Sequence, residues 1–140
     1  MKGFVQDIES LAVKNNEFRQ VLYTAKHCQL VVMSLKPKEE IGAEVHKLDQ
    51  FFRVEEGAGE AVLDGVRTAI RAGFAVVVPA GANHNIINTG NVPLKLYSMR
   101  RRTIETASST IPATTRRLTT STSTARRRND DGIEYRRWTR

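Results

Sequence analysis

From Phe18 onward, apolar and polar residues alternate with the period of two that a half-buried strand requires. The pattern predicts strands over Phe18–Ala25, Gln29–Leu35, Gln50–Val54, Ala61–Leu63, Val66–Ile70, Ala75–Val78, Asn85–Asn88 and Leu94–Tyr97. Turn-forming residues separate them: Pro37-Lys38, Gly57-Ala58-Gly59, Asp64-Gly65, Ala72-Gly73, Pro79-Ala80-Gly81 and Thr89-Gly90. Asp64-Gly65 is the clearest hairpin signal, because a type I′ turn needs both central residues at positive φ. Ahead of the strands, Val5–Val13 has Ile8, Leu11 and Ala12 on one side and reads as a short amphipathic helix. Short strands at this spacing indicate an all-β sandwich or barrel with a short N-terminal helical segment. No internal repeat is visible.

The 140 residues suffice for one domain with one core. Three segments follow from the pattern: 1–17 helical, 18–97 the barrel, and 98–140 a tail in which the alternation stops. A single cysteine, Cys28, rules out a disulfide framework and fits a reducing compartment. Asp7 and Glu9 interrupt the start of the chain where a signal peptide needs an unbroken apolar stretch. The most apolar run, Ala75–Ala82, contains Pro79 and is too short to span a bilayer. The expectation is a cytoplasmic protein without membrane contact.

The formal net charge of +7 would ordinarily suggest an anionic partner, but its distribution argues otherwise. Residues 1–97 hold 11 Lys or Arg and 11 Asp or Glu; residues 98–140 hold 11 Arg and 4 acids. The body is neutral and the tail carries all of the excess. Rich in Arg, Thr and Ser and free of Lys, the tail has the composition of a disordered segment.

The chemistry concentrates between Ile41 and Gly57. Read as one strand, Glu44, His46, Leu48 and Gln50 share a face, which brings a carboxylate, an imidazole and an amide oxygen together. His84 follows the tight turn at Pro79-Ala80-Gly81, and barrel closure can bring it opposite His46. Such groups suit a divalent metal. Without a metal, they would form a hydrogen-bonded polar cluster.

Gly73, Pro79, Gly81, His84 and Asn88 reproduce the second cupin motif, G-x5-P-x-G-x2-H-x3-N, with every spacing intact. The first motif, G-x5-H-x-H-x3-4-E-x6-G, keeps its spacing, with His46 and Gly57 in place. Lys38 stands for its opening glycine, Glu44 for its first histidine and Gln50 for its glutamate. Over about residues 18–97 the chain resembles the small single-domain bacterial cupins of the cupin-2 conserved-barrel family. The resemblance implies a jelly-roll, or double-stranded β-helix, barrel with metal ligands Glu44, His46, Gln50 and His84. Two imidazoles, one carboxylate and one amide suit Fe, Mn, Ni or Zn with positions left open. No catalytic residue beyond the ligands is assigned.

Three functions remain open at this stage. The first is a metal-dependent enzyme of dioxygenase or isomerase type acting on a small molecule. The second is a metal-free barrel that binds a small ligand, and the third is nucleic-acid binding by the basic tail. A sugar-phosphate isomerase is disfavoured, because no Arg or Lys within 40–97 is placed to hold a phosphate. Tyr23, Met33, Phe52 and Val54 are expected in the barrel core. Lys47, Asp49 and Arg53 are expected to face solvent, and His27 to be a partly exposed polar residue. An unpaired edge at Phe18–Ala25 suggests a homodimer. The tail itself reads as a shifted frame. Back-translated from the third base of the Met99 codon, it permits A-P-P-N-H-R-D-G, then a further acidic peptide, and a stop at Asn129-Asp130. That peptide resembles the ends of small cupins.

Overall fold

A computed structural model describes residues 2–102. Met1 and residues 103–140 lie outside the described residues, and with them most of the basic tail and the shifted-frame reading.

The helix forms as α1 (Ile8–Lys14), slightly later than its apolar spacing predicts. Asp7 sets the start, since its carboxylate accepts a hydrogen bond from the Ser10 amide. Glu9 in the first turn and Lys14 in the last complement the helix dipole. Ala12 is the fully buried contact of this helix.

Among the described residues nine strands follow: β1 (Arg19–Thr24), β2 (Cys28–Leu35), β3 (Glu44–Val45), β4 (Gln50–Glu56), β5 (Ala58–Leu63), β6 (Val66–Arg71), β7 (Ala75–Val78), β8 (Asn83–Ile87) and β9 (Leu94–Arg101). They make two antiparallel sheets, ordered β1-β2-β9-β4-β7 and β3-β8-β5-β6. Between the sheets lies the core, built from Val31, Met33, Leu35, Phe52, Val54, Ala61, Ile70, Val76, Val78, Ile86, Leu94 and Leu96. The alternation places them there: along β4, Gln50, Phe52 and Val54 are buried while Arg53 is exposed. β2 departs from alternation. Leu30 to Leu35 are all buried, because α1 packs against this sheet from outside.

The β5–β6 hairpin closes on Asp64 (φ 46°) and Gly65 (φ 82°), both left-handed as a two-residue turn of this kind demands. Gly57-Ala58-Gly59, expected as a turn, is different: β5 already begins at Ala58. A Cβ on Gly59 would stand 2.2 Å from the carbonyl oxygen of Ile87, so this glycine admits a backbone approach rather than a turn.

Two further boundaries differ from the sequence pattern. Glu44, His46, Leu48 and Gln50 do not share one strand. β3 ends at Val45, the chain bends at Lys47-Leu48, and β4 starts at Gln50 in the other sheet. The bend is held from the 79–81 turn, where the Gly81 amide donates to the His46 carbonyl and the Ala80 amide to the Asp49 carboxylate. At the other boundary, β9 runs four residues beyond Tyr97, because Ser98 continues the inward alternation of Leu94 and Leu96. Tyr23 is the one expected core residue outside the core. Its ring packs near Phe4 and its hydroxyl donates to the Lys2 carbonyl.

Candidate metal centre

Four residues from the two sheets build the site. Within the smaller sheet, Glu44 on β3 pairs directly with His84 on β8, and directly opposed residues present their side chains on one face. His84 has the parity of Ile86 and is fully buried inside the barrel. His46 lies just past the end of β3, where its carbonyl is anchored by Gly81. The ligating atoms of Glu44, His46 and His84 all lie within 4.8 Å of one another, and the two imidazole centroids are 5.3 Å apart. Gln50 enters from β4 in the other sheet and lines the same pocket as Glu44 and His46.

Hydrogen bonding divides these groups in two. At the outer side, His46 Nε2 and Glu44 Oε2 are 3.0 Å apart, both side chains partly exposed. Deeper in, the Gln50 amide nitrogen donates to Ser98 Oγ at 2.9 Å. His84 Nδ1 faces the Ala82 carbonyl at 3.5 Å, and assigning the proton to Nδ1 on that contact leaves Nε2 with a free lone pair. Gln50 Oε1 and His84 Nε2 are both buried, and neither has a hydrogen-bond partner among the described residues. Buried polar atoms in folded proteins are almost always satisfied. His84 Nε2, unpartnered beside the ligating atoms of Glu44 and His46, offers the lone pair a cation requires, and Gln50 Oε1 offers a second in the pocket that Glu44 and His46 line.

The pocket holds about 110 Å³ of free space, room for an ion with a few waters or a very small molecule. Val31, Met33, Ile41 and Phe52 form its apolar wall. Met33 and Phe52 therefore serve core and pocket together, where the sequence pattern assigned them to the core alone. Phe18, Arg19, Ser98 and Arg100 also line it and were not singled out from the sequence. For Ser98 and Arg100 a signal was present, the parity of Leu94 and Leu96 continued past Tyr97; Arg100 pairs directly with Gln50 across β9 and β4. No Lys or Arg of 40–97 lines this pocket, although Lys47 borders an adjoining hollow with His46 and Arg100. Lys47, Asp49 and Arg53 are exposed, and so is His27, which does not line the pocket.

Comparison with known proteins follows the same lines. Residues 31–100 match the family described as Cupin domain. An uncharacterized protein of Bacillus subtilis, YrkC, is 45% identical over 105 residues, covering 70% of this chain and 56% of the relative. Protein L612 of Acanthamoeba polyphaga mimivirus is 40% identical over 101 residues, covering 69% and 63%. The chain thus spans less than two thirds of the length of either curated relative. The crystal structure of BH2720 from Bacillus halodurans superposes with a TM-score of 0.71 at 40% identity, covering 74% of this chain and 84% of that one.

Proposed function

This chain belongs to the Cupin_2 family of cupin domains, and from that membership we propose that it holds one divalent transition-metal ion, Fe, Mn, Ni or Zn, inside the barrel and acts there on a small molecule. The ligands are His84, His46 and Glu44, with Gln50 as a weaker fourth. The observation that carries this reading is the pair of buried, unpartnered acceptors, Gln50 Oε1 and His84 Nε2. The donor set supports it as well: two imidazoles and one carboxylate make the combination typical of mononuclear sites that keep positions open. A bound ion supplies Lewis acidity or activation of a bound water or dioxygen.

The chain's own residues do the rest. Val31, Met33, Ile41 and Phe52 offer apolar surface to the carbon skeleton of a ligand and exclude water around it. Glu44, at the open side, supplies the one carboxylate of this group and with it the negative charge that favours a divalent ion. The pocket size favours a ligand of a few heavy atoms, and the same shape would serve a barrel that binds without reacting.

Two further readings belong with this one. The chain is proposed to be cytoplasmic, since its one cysteine, Cys28, is free and fits a reducing compartment. It forms a homodimer through β1, an edge strand on which Val21 is exposed, with exposed Phe18 just ahead of it. A monomeric mass by light scattering at micromolar concentration would refute the dimer. The metal reading is tested by elemental analysis of untagged protein incubated with each ion and then desalted. About one ion per chain supports it, and transition metal at the background level refutes it.

A further inference from the structure

We infer that the small molecule taken by the barrel is a short-chain carboxylate, held through its carboxylate group by Arg19 and Arg100 at the pocket rim. This deepens the small-molecule reading above, on which it rests, by naming the class of that molecule.

Both arginines reach the pocket from the larger sheet. Along β9 the inward parity of Leu94, Leu96 and Ser98 carries on to the half-buried Arg100. Arg100 pairs directly with Gln50 on β4, so the two side chains stand on one face, and both line the pocket. Arg19 on β1 pairs in the same way with Met33, another lining residue. Between them lies β2, where Gln29 accepts a hydrogen bond from the Arg19 guanidinium at 3.2 Å and pairs directly with Arg100. Arg19 stands well before the stretch that reads as a shifted frame, so the positive rim does not depend on Arg100 alone.

These charges lack an acid to balance them. Elsewhere Arg53 and Arg67 pair with Glu55 and Glu60. Neither Arg19 nor Arg100 has an ion-pair partner among the described residues, and the Arg100 guanidinium has no hydrogen bond there either. Among the described residues Glu44 is the one acid in the pocket lining, and it already lies against His46. A divalent ion would raise the positive excess further. The adjoining hollow adds Lys47, Arg101 and Arg102, with no acid among the described residues of its lining. A cleft lined by one sign of charge draws in ligands of the other.

The rest of the pocket selects among anions. The guanidinium fork matches the paired oxygens of a carboxylate. Val31, Met33, Ile41 and Phe52 supply an apolar wall, and the free space of about 110 Å³ admits a few carbon atoms beside it. A short carbon chain ending in a carboxylate uses both features. Inorganic phosphate would leave the wall unused.

The test is an NMR titration of the full chain, with and without zinc. It is followed at the methyl of Met33, which lines the pocket, with exposed Met99 as the internal reference. The probes are propionate and isobutyrate, their neutral amides, and inorganic phosphate. At least one carboxylate should move the Met33 signal, leave Met99 still, and bind about tenfold tighter than its amide. Arg19→Gln and Arg100→Gln should each weaken that binding about tenfold. Arg100→Lys should weaken it less than Arg100→Gln, since the charge stays and only the fork is lost. An unmoved Met33 with both carboxylates, equal binding of acid and amide, or tighter binding of phosphate than of either carboxylate overturns the inference. The zinc-free arm keeps the two readings apart. Arginine-dependent carboxylate binding in a chain that takes up no zinc refutes the metal centre and upholds the inference. Normal zinc uptake with carboxylate binding unchanged in R19Q/R100Q refutes the inference alone.

Discussion

At the scale of single residues, the account turns on two atoms, His84 Nε2 and Gln50 Oε1. Leaving a buried polar group unmatched costs on the order of 1–3 kcal/mol, so each of these atoms favours a bound group that satisfies it. The ligand series should then be graded. His84→Ala and His46→Ala should each abolish metal retention through desalting, while Gln50→Ala should reduce it less, because a neutral amide is the poorest donor of the four. Metal content of the three purified variants checks this, and a full complement in His84→Ala would contradict the assignment. All four candidate ligands were legible in the sequence, through motif spacing that survives where residue identity does not. Ser98 was not. The abrupt onset of arginine after it looks like the end of the fold, yet the two-residue parity carries on through Ser98 to Arg100.

At the scale of elements, what sequence parity conveyed was the inward set of each strand, and what it missed was where the chain changes sheet. Glu44 and Gln50 have the same parity and do face one pocket, but for a different reason. The strand breaks between them, and the two sheets then bring them back together. A composition-based reading cannot see that bend, because it is held by contacts to the distant 79–81 turn. Gly59 was misread for a similar cause: its role depends on Ile87, 28 positions on. Gly59→Ala should destabilise the barrel by about 2–4 kcal/mol, since the new methyl meets backbone rather than a side chain that can yield. Gly3→Ala, with nothing within 4 Å, should change stability by less than about 0.5 kcal/mol. Urea unfolding of both variants measures the contrast, and equal midpoints would refute the close-approach role of Gly59.

For the molecule as a whole, the sheets make a scaffold whose stability should be coupled to the ion. The proposed ligands come from both sheets, so binding would favour the state in which the sheets are packed and lower its free energy relative to the unfolded chain. At metal 100-fold above Kd the gain is about 2.7 kcal/mol. Melting should therefore rise with added metal and fall with a chelator, and the His84→Ala protein should show neither shift. A wild type that melts at one temperature with and without metal would break the linkage. The all-β class and the barrel were readable because short alternating strands leave few other ways to bury a core. The meeting of the two sheets at a metal-sized pocket was readable only through the resemblance of the motifs. The most direct test of the central claim is anomalous X-ray scattering from crystals of the protein grown with zinc. The account predicts one strong peak inside the barrel, about 2.0–2.1 Å from the Nε2 atom of His84 and from a ring nitrogen of His46, with Glu44 also in contact. A map with no peak there, or with zinc only at surface residues, would contradict it.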